Sequence, residues 1–129
     1  MFERIELMSL VRASTGHAAL RNAVVARNIA NADTPGFRAR DLQPFAESYR
    51  QNHTAPLRRT RAGHIPNPAW SPSPAREFQP EAEASPNGNT ISLEDEMFKL
   101  AEVKRQHELS VGIYQSALNL MRTSIDRRN

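Results

Sequence analysis

The residues with the strongest claim to chemistry are His107-Glu108-Leu109-Ser110-Val111, which begin like a helical zinc protease motif. That motif needs a second His four residues after the first, so that two imidazoles share one helical face. Val111 stands there instead, and the zinc reading fails. His53 and His64 sit in a proline-rich stretch without neighbouring carboxylates and read as exposed loop residues. Glu94, Asp95 and Glu96 have the composition of paired acid/base carboxylates, but they follow Ser92 at a helix start. There the helix dipole favours acids and Ser92 is a natural N-cap, with Asp95 three residues on. The 5 Gly are isolated at 16, 36, 63, 88 and 112, which leaves no phosphate-cradling loop. With 0 Cys there is no disulfide, thiolate metal site or cysteine nucleophile. These residues predict a protein that is not an enzyme and holds no cofactor or metal.

A basic surface is the remaining chemical option. Arg12, Arg21 and Arg27 share one side of the first helix and Leu57-Arg58-Arg59-Thr60-Arg61 adds a cluster. A basic amphipathic helix of this kind can bind anionic membrane or nucleic acid. Net charge is only +3, however, and aromatic residues are 6% of the chain, so a solvated face is the better account of the pattern.

The elements that must position these residues follow from proline. All 9 Pro fall between Pro35 and Pro86, so both ends can be long helices and the middle cannot. At the start, Leu7, Val11, Ser14, Ala18, Val25 and Ile29 fall on one face of a wheel, widened by Leu10, Leu20 and Val24. The pattern predicts a helix over residues 3–31, stopped by Asn31-Ala32-Asp33-Thr34-Pro35-Gly36. Pro35-Gly36 supplies the central pair of a type II turn. In 51–90 apolar residues are too sparse for any period, which predicts an extended or disordered insert.

The last segment carries the clearest period. Positions 93, 97, 100, 104, 107, 111, 114, 118, 121 and 125 hold Leu93, Met97, Leu100, Lys104, His107, Val111, Tyr114, Leu118, Met121 and Ile125. Alternating steps of 4 and 3 make a heptad seam, about 50 Å long at the helical rise. Lys104 and His107 interrupt it: His107 reads as a polar seam residue that sets register or partner choice, and Lys104 as a partner for Glu108 four residues on. A second stripe, Phe98, Leu109, Ile113, Ala117 and Leu120, runs along the other side of the same helix. One partner helix covers one face, so the seam is assigned to the N-terminal helix of the same subunit and the stripe to a neighbouring chain, with the insert folded back over it as the lesser alternative. The fold class is all-α: two long terminal helices forming a coiled-coil-like pair, with a proline-rich middle. The segments are 1–34, 35–90 and 91–129, together one domain. No apolar run approaches the length of a membrane span, and Met1-Phe2-Glu3-Arg4-Ile5-Glu6 lacks the basic start of a cleaved signal.

Asn28-Ile29-Ala30-Asn31-Ala32-Asp33-Thr34-Pro35-Gly36-Phe37, continuing into Arg38-Ala39-Arg40-Asp41, closely resembles the signature that ends the N-terminal helix of bacterial flagellar axial proteins. Thr60 to Pro66 and Gly88-Asn89-Thr90-Ile91 before an acidic helix start narrow the resemblance to the basal-body rod family and its proximal members. The resemblance implies a structural subunit of the periplasmic rod that polymerises through its terminal helices, connects the membrane ring to the distal rod and serves motility. It further implies export through the flagellar type III apparatus without a cleaved signal. The implied partners are other rod subunits, the ring and rod adaptor proteins and further copies of itself, with no nucleic acid and no small-molecule substrate.

Overall fold

The computed structural model describes residues 2–52 and 75–126. His53, the 57–61 cluster, His64 and most of the proline-rich insert lie outside the described residues. Helix α1 spans Phe2–Ala30, within a residue of the span that apolar spacing predicts at each end. Helix α3 spans Leu93–Asp126. Its start is the predicted cap: the Asp95 N–H donates to Ser92 Oγ at 3.3 Å and the Glu96 N–H to the Ser92 carbonyl at 3.0 Å. The stop of α1 also matches its expected form. The Phe37 N–H returns to the Thr34 carbonyl at 3.3 Å across Pro35-Gly36, and Gly36 has φ of 71°, the geometry of a type II turn.

The two long helices pack antiparallel. Ser14 meets Ser110 and Asn28 meets Glu96, so residue numbers on facing turns rise on one helix as they fall on the other. The apolar side chains buried on the two helices are small: Val11, Ala13, Ala18, Val24 and Val25 on α1, and Val103 and Ala117 on α3. Two serine hydroxyls 3.0 Å apart across the interface require the helix axes to approach closely, which only small residues allow. No helix among the described residues is long and apolar enough to cross a membrane.

Two further elements fall inside the segment between the long helices. Strand β1, Asp41–Leu42, pairs antiparallel with β2, Glu77–Phe78, with Asp41 opposite Phe78 and Leu42 opposite Glu77. Helix α2, Phe45–Asn52, starts after Pro44, whose carbonyl accepts the N–H groups of Glu47 and Ser48 at 3.1 Å each. Neither shows as a period in the sequence, because a two-residue ladder and a two-turn helix are too short to carry one. Strand β1 and helix α2 both rest against α1.

Candidate assembly interface

The family-like motif forms a polar joint between the helices. Asn28, in the last turn of α1, is 0% exposed. Its Nδ2 donates to the Arg40 carbonyl at 2.6 Å and to Glu96 Oε2 at 3.0 Å, while its Oδ1 accepts the Arg40 N–H at 3.2 Å. Glu96 is 2% exposed and its other oxygen takes the Lys99 ammonium at 2.7 Å. A buried amide with both ends engaged, joined to a buried carboxylate with both oxygens engaged, satisfies groups that are costly when left unpaired.

A second asparagine closes the turn. Asn89 Nδ2 lies 3.1, 2.7 and 2.9 Å from the carbonyls of Asn31, Ala32 and Thr34, in the turn that follows α1. Its Oδ1 accepts the Ile91 N–H at 2.7 Å. Residues 87–90 run beside 36–39: Gly36 N–H donates to the Asn87 carbonyl at 3.0 Å, Thr90 N–H to the Phe37 carbonyl at 3.1 Å, and Ala39 N–H to Thr90 Oγ1 at 2.9 Å. The motif is thus a clamp between the C-terminus of α1 and the chain entering α3, and its residues work through backbone and amide hydrogen bonds rather than reactive groups.

Further along α1, Arg21 grips Asp41 with two parallel bonds, Nε to Oδ1 at 2.8 Å and Nη2 to Oδ2 at 2.9 Å. Burial opposes ionisation of Asp41, but hydrogen bonds from Arg21 and from the Leu42 N–H, with the Arg21 charge, outweigh it and hold the carboxyl below its usual range. One turn earlier, His17 Nε2 lies 2.8 Å from the Gln43 carbonyl, which can only accept, so the ring donates there. Phe45 packs against the imidazole at 5.6 Å and 62°, and Nδ1 is buried without a partner among the described residues. Burial lowers the pKa of His17, with the Arg21 charge adding to it, while the Gln43 carbonyl and Asp41 act in the opposite sense.

The structure sorts the residues of α3 differently from their hydropathy. Buried positions are Glu96, Val103, Ser110 and Ala117, spaced by seven. Leu100, Gln106, Val111, Tyr114, Leu118 and Met121 are half-buried, whereas Leu93, Met97, Ile125, Lys104 and His107 are exposed. The buried centre therefore runs one residue earlier than the apolar seam. Lys104 and His107 lie outside it and do not interrupt it. Spacing of apolar residues misses Glu96 and Ser110 because both are polar, although the sequence does hold a heptad of small or hydrogen-bonding residues at 96, 103, 110 and 117. Of the second stripe, Ala117 is buried, but Phe98 is 77% exposed, Leu120 63%, and Leu109 and Ile113 are exposed too.

Of the basic residues considered for phosphate binding, Arg21 and Arg27 pair with carboxylates, while Arg58, Arg59 and Arg61 lie outside the described residues. Arg21 holds Asp41, and Arg27 Nη2 lies 2.9 Å from Glu77 Oε2. Arg12 is exposed. The Arg21 guanidinium, held by two parallel bonds to Asp41, offers little to a phosphate.

Residues 16–38, the second half of α1 through the turn, match the model of the flagella basal body rod protein family. The chain is 32% identical over 127 residues to the flagellar basal body rod protein FlgB of Agrobacterium fabrum, covering 95% of each. It is 30% identical to FlgB of Escherichia coli, covering 86% of each, and 31% identical to FlgB of Salmonella typhimurium, covering 80% of each.

Proposed function

Because the chain belongs to the flagella basal body rod protein family and is a structural subunit of the rod, we propose that it assembles through the outward faces of its two terminal helices. The observation that carries this reading is an inversion of side-chain size. Alanines, serines and valines fill the space between the helices, while Phe98, Leu109, Ile113 and Leu120 on α3, with Leu7 and Leu20 on α1, remain in solvent. Exposed large apolar side chains repeated along one helical face, as on α3, mark surfaces that neighbours cover. Packing of these rows is non-directional and scales with the apolar area buried, which suits a shaft that transmits torque.

In this reading the subunit sits in the proximal, periplasmic part of the rod, between the membrane ring and the distal rod, and reaches it through the flagellar export apparatus. Its partners are further copies, other rod subunits and the ring adaptors. Its work is geometric, and no residue performs catalysis. The seam residues Leu100, Val111, Tyr114, Leu118 and Met121 flank the intra-subunit contact; Leu93, Met97 and Ile125 extend the outer surface. Nothing favours the membrane or nucleic-acid alternative.

The test is Ile113→Cys in a chain that otherwise has no cysteine. Isolated basal bodies should yield cross-links from position 113 to a neighbouring subunit, and Ile113→Asp with Leu120→Asp should abolish swimming while the protein is still exported. Normal swimming in the double variant would overturn the assignment of the stripe.

A further inference from the structure

At the motif end of the helix pair, two guanidiniums share one carboxylate and a third lines the same recess. Residues 38–41 alternate in and out: Ala39 and Asp41 are buried, Arg38 and Arg40 exposed, which is the side-chain period of extended backbone. Arg27, from the last turn of α1, and Arg40 both reach the same atom, Glu77 Oε2, at 2.9 and 3.3 Å. Arg38 has no acidic partner among the described residues. Together with Gly36, Phe37 and Gln79 these arginines line an open recess. Three positive charges against one negative leave an excess of two, and a single oxygen shared by two guanidiniums leaves most of their donors free for further acceptors.

The surrounding charges at this end have the opposite sign. Asp33, Glu81, Glu83, Glu94 and Asp95 are exposed and have no ion-pair partner among the described residues. Glu94 and Asp95 lie at the same level as the recess, because the adjacent Glu96 bonds Asn28, and Asn28 bonds the backbone of Arg40. A second copy standing alongside at the same height would present its own Glu94 and Asp95 to the recess. A contact between two different patches of identical chains is heterologous and propagates around an axis.

We propose that the recess of Arg27, Arg38 and Arg40 receives the acidic first turn of α3, Glu94 and Asp95, of a second copy of this chain beside it in the rod. The proposal rests on the rod reading above. The apolar stripes give such an interface its strength, and the ion pairs give it direction and register, since like charges brought together in a wrong register are repelled.

The test uses full-length chains in cells lacking the native copy, with incorporation into purified basal bodies as the readout. R38E/R40E should lower incorporation about tenfold, and E94R/D95R likewise, since like charges then face each other. The four changes combined restore opposite charges and should recover most of the loss. Independently, R38C with D95C should give disulfide-linked multimers of this chain in basal bodies, where either single variant gives none. Normal incorporation of either reversal variant overturns the proposal. So does a combined variant that stays defective while the R38C/D95C chain forms no multimer, or an R38C chain that links to a different protein. Absence of the unmodified chain from basal bodies would instead overturn the rod reading itself.

Discussion

Asn28 and Glu96 are 68 residues apart in sequence and 3.0 Å apart in the structure, both buried and each satisfying the other. One bond therefore sets where the end of α1 meets the start of α3, and with it the register of the pair. Removing either partner strands the other in a place water does not reach.

Asn28→Leu should accordingly destabilise the fold by about 2–4 kcal/mol, because it frees the Glu96 carboxylate on one side and the Arg40 peptide group on the other. Thermal unfolding followed by circular dichroism measures it. A change below about 0.5 kcal/mol, the size of an ordinary surface substitution, would show that the joint is not a determinant of register.

The register predicts a specific cross-link. Ser14 and Ser110 bring their hydroxyls to 3.0 Å, so S14C/S110C should close a disulfide within one chain, seen as faster migration in a non-reducing gel that reverts on reduction. Position 111, one residue on, faces the region of residue 14 rather than 18 or 25, and V111C with A18C or V25C should close poorly by comparison. Efficient closure of the V111C pairs with no closure of S14C/S110C would shift the register.

Acid should loosen the β1–α2 segment in two stages. His17 has its pKa lowered from 6.5 in the fold, so the unfolded or undocked chain binds the proton more readily. Stability is full above 6.5 and falls as pH drops below it. Asp41 is lowered from 3.8, so its contribution is present above that value and is lost as pH falls through the folded value. Hydrogen exchange at residues 45–52, corrected for intrinsic pH dependence, should speed up between about pH 7.5 and 5 in the native chain and much less in H17Q, whose side-chain amide keeps a donor for the Gln43 carbonyl. Equal pH dependence in both would remove His17 as the cause.

Gly88 has φ of 81° and stands where a Cβ would lie 3.4 Å from Gly36 Cα. The contact is ordinary, so the cost of Gly88→Ala is the left-handed backbone alone, about 1–2 kcal/mol. It should appear as reduced exchange protection at Thr90, whose N–H bonds Phe37, with the helix pair intact. Undiminished protection at Thr90 would show that the turn tolerates a side chain there.

The two long helices, the Ser92 cap and the turn at Pro35-Gly36 are legible in the amino-acid sequence because each depends on local rules: periodic hydropathy, a side-chain oxygen three residues before a free N–H, a proline and a glycine in fixed order. The motif through Phe37 is legible as a resemblance. Which face of α3 turns inward is not. Apolar spacing points to Met97, Val111 and Leu118, whereas the structure buries Glu96, Val103, Ser110 and Ala117, since two helices whose serines touch exclude bulky side chains from the contact. A carboxylate and a hydroxyl are admitted there because Asn28 and Ser14 stand opposite them. Complementarity of that kind belongs to a pair of distant residues, and only the tertiary structure brings the two together.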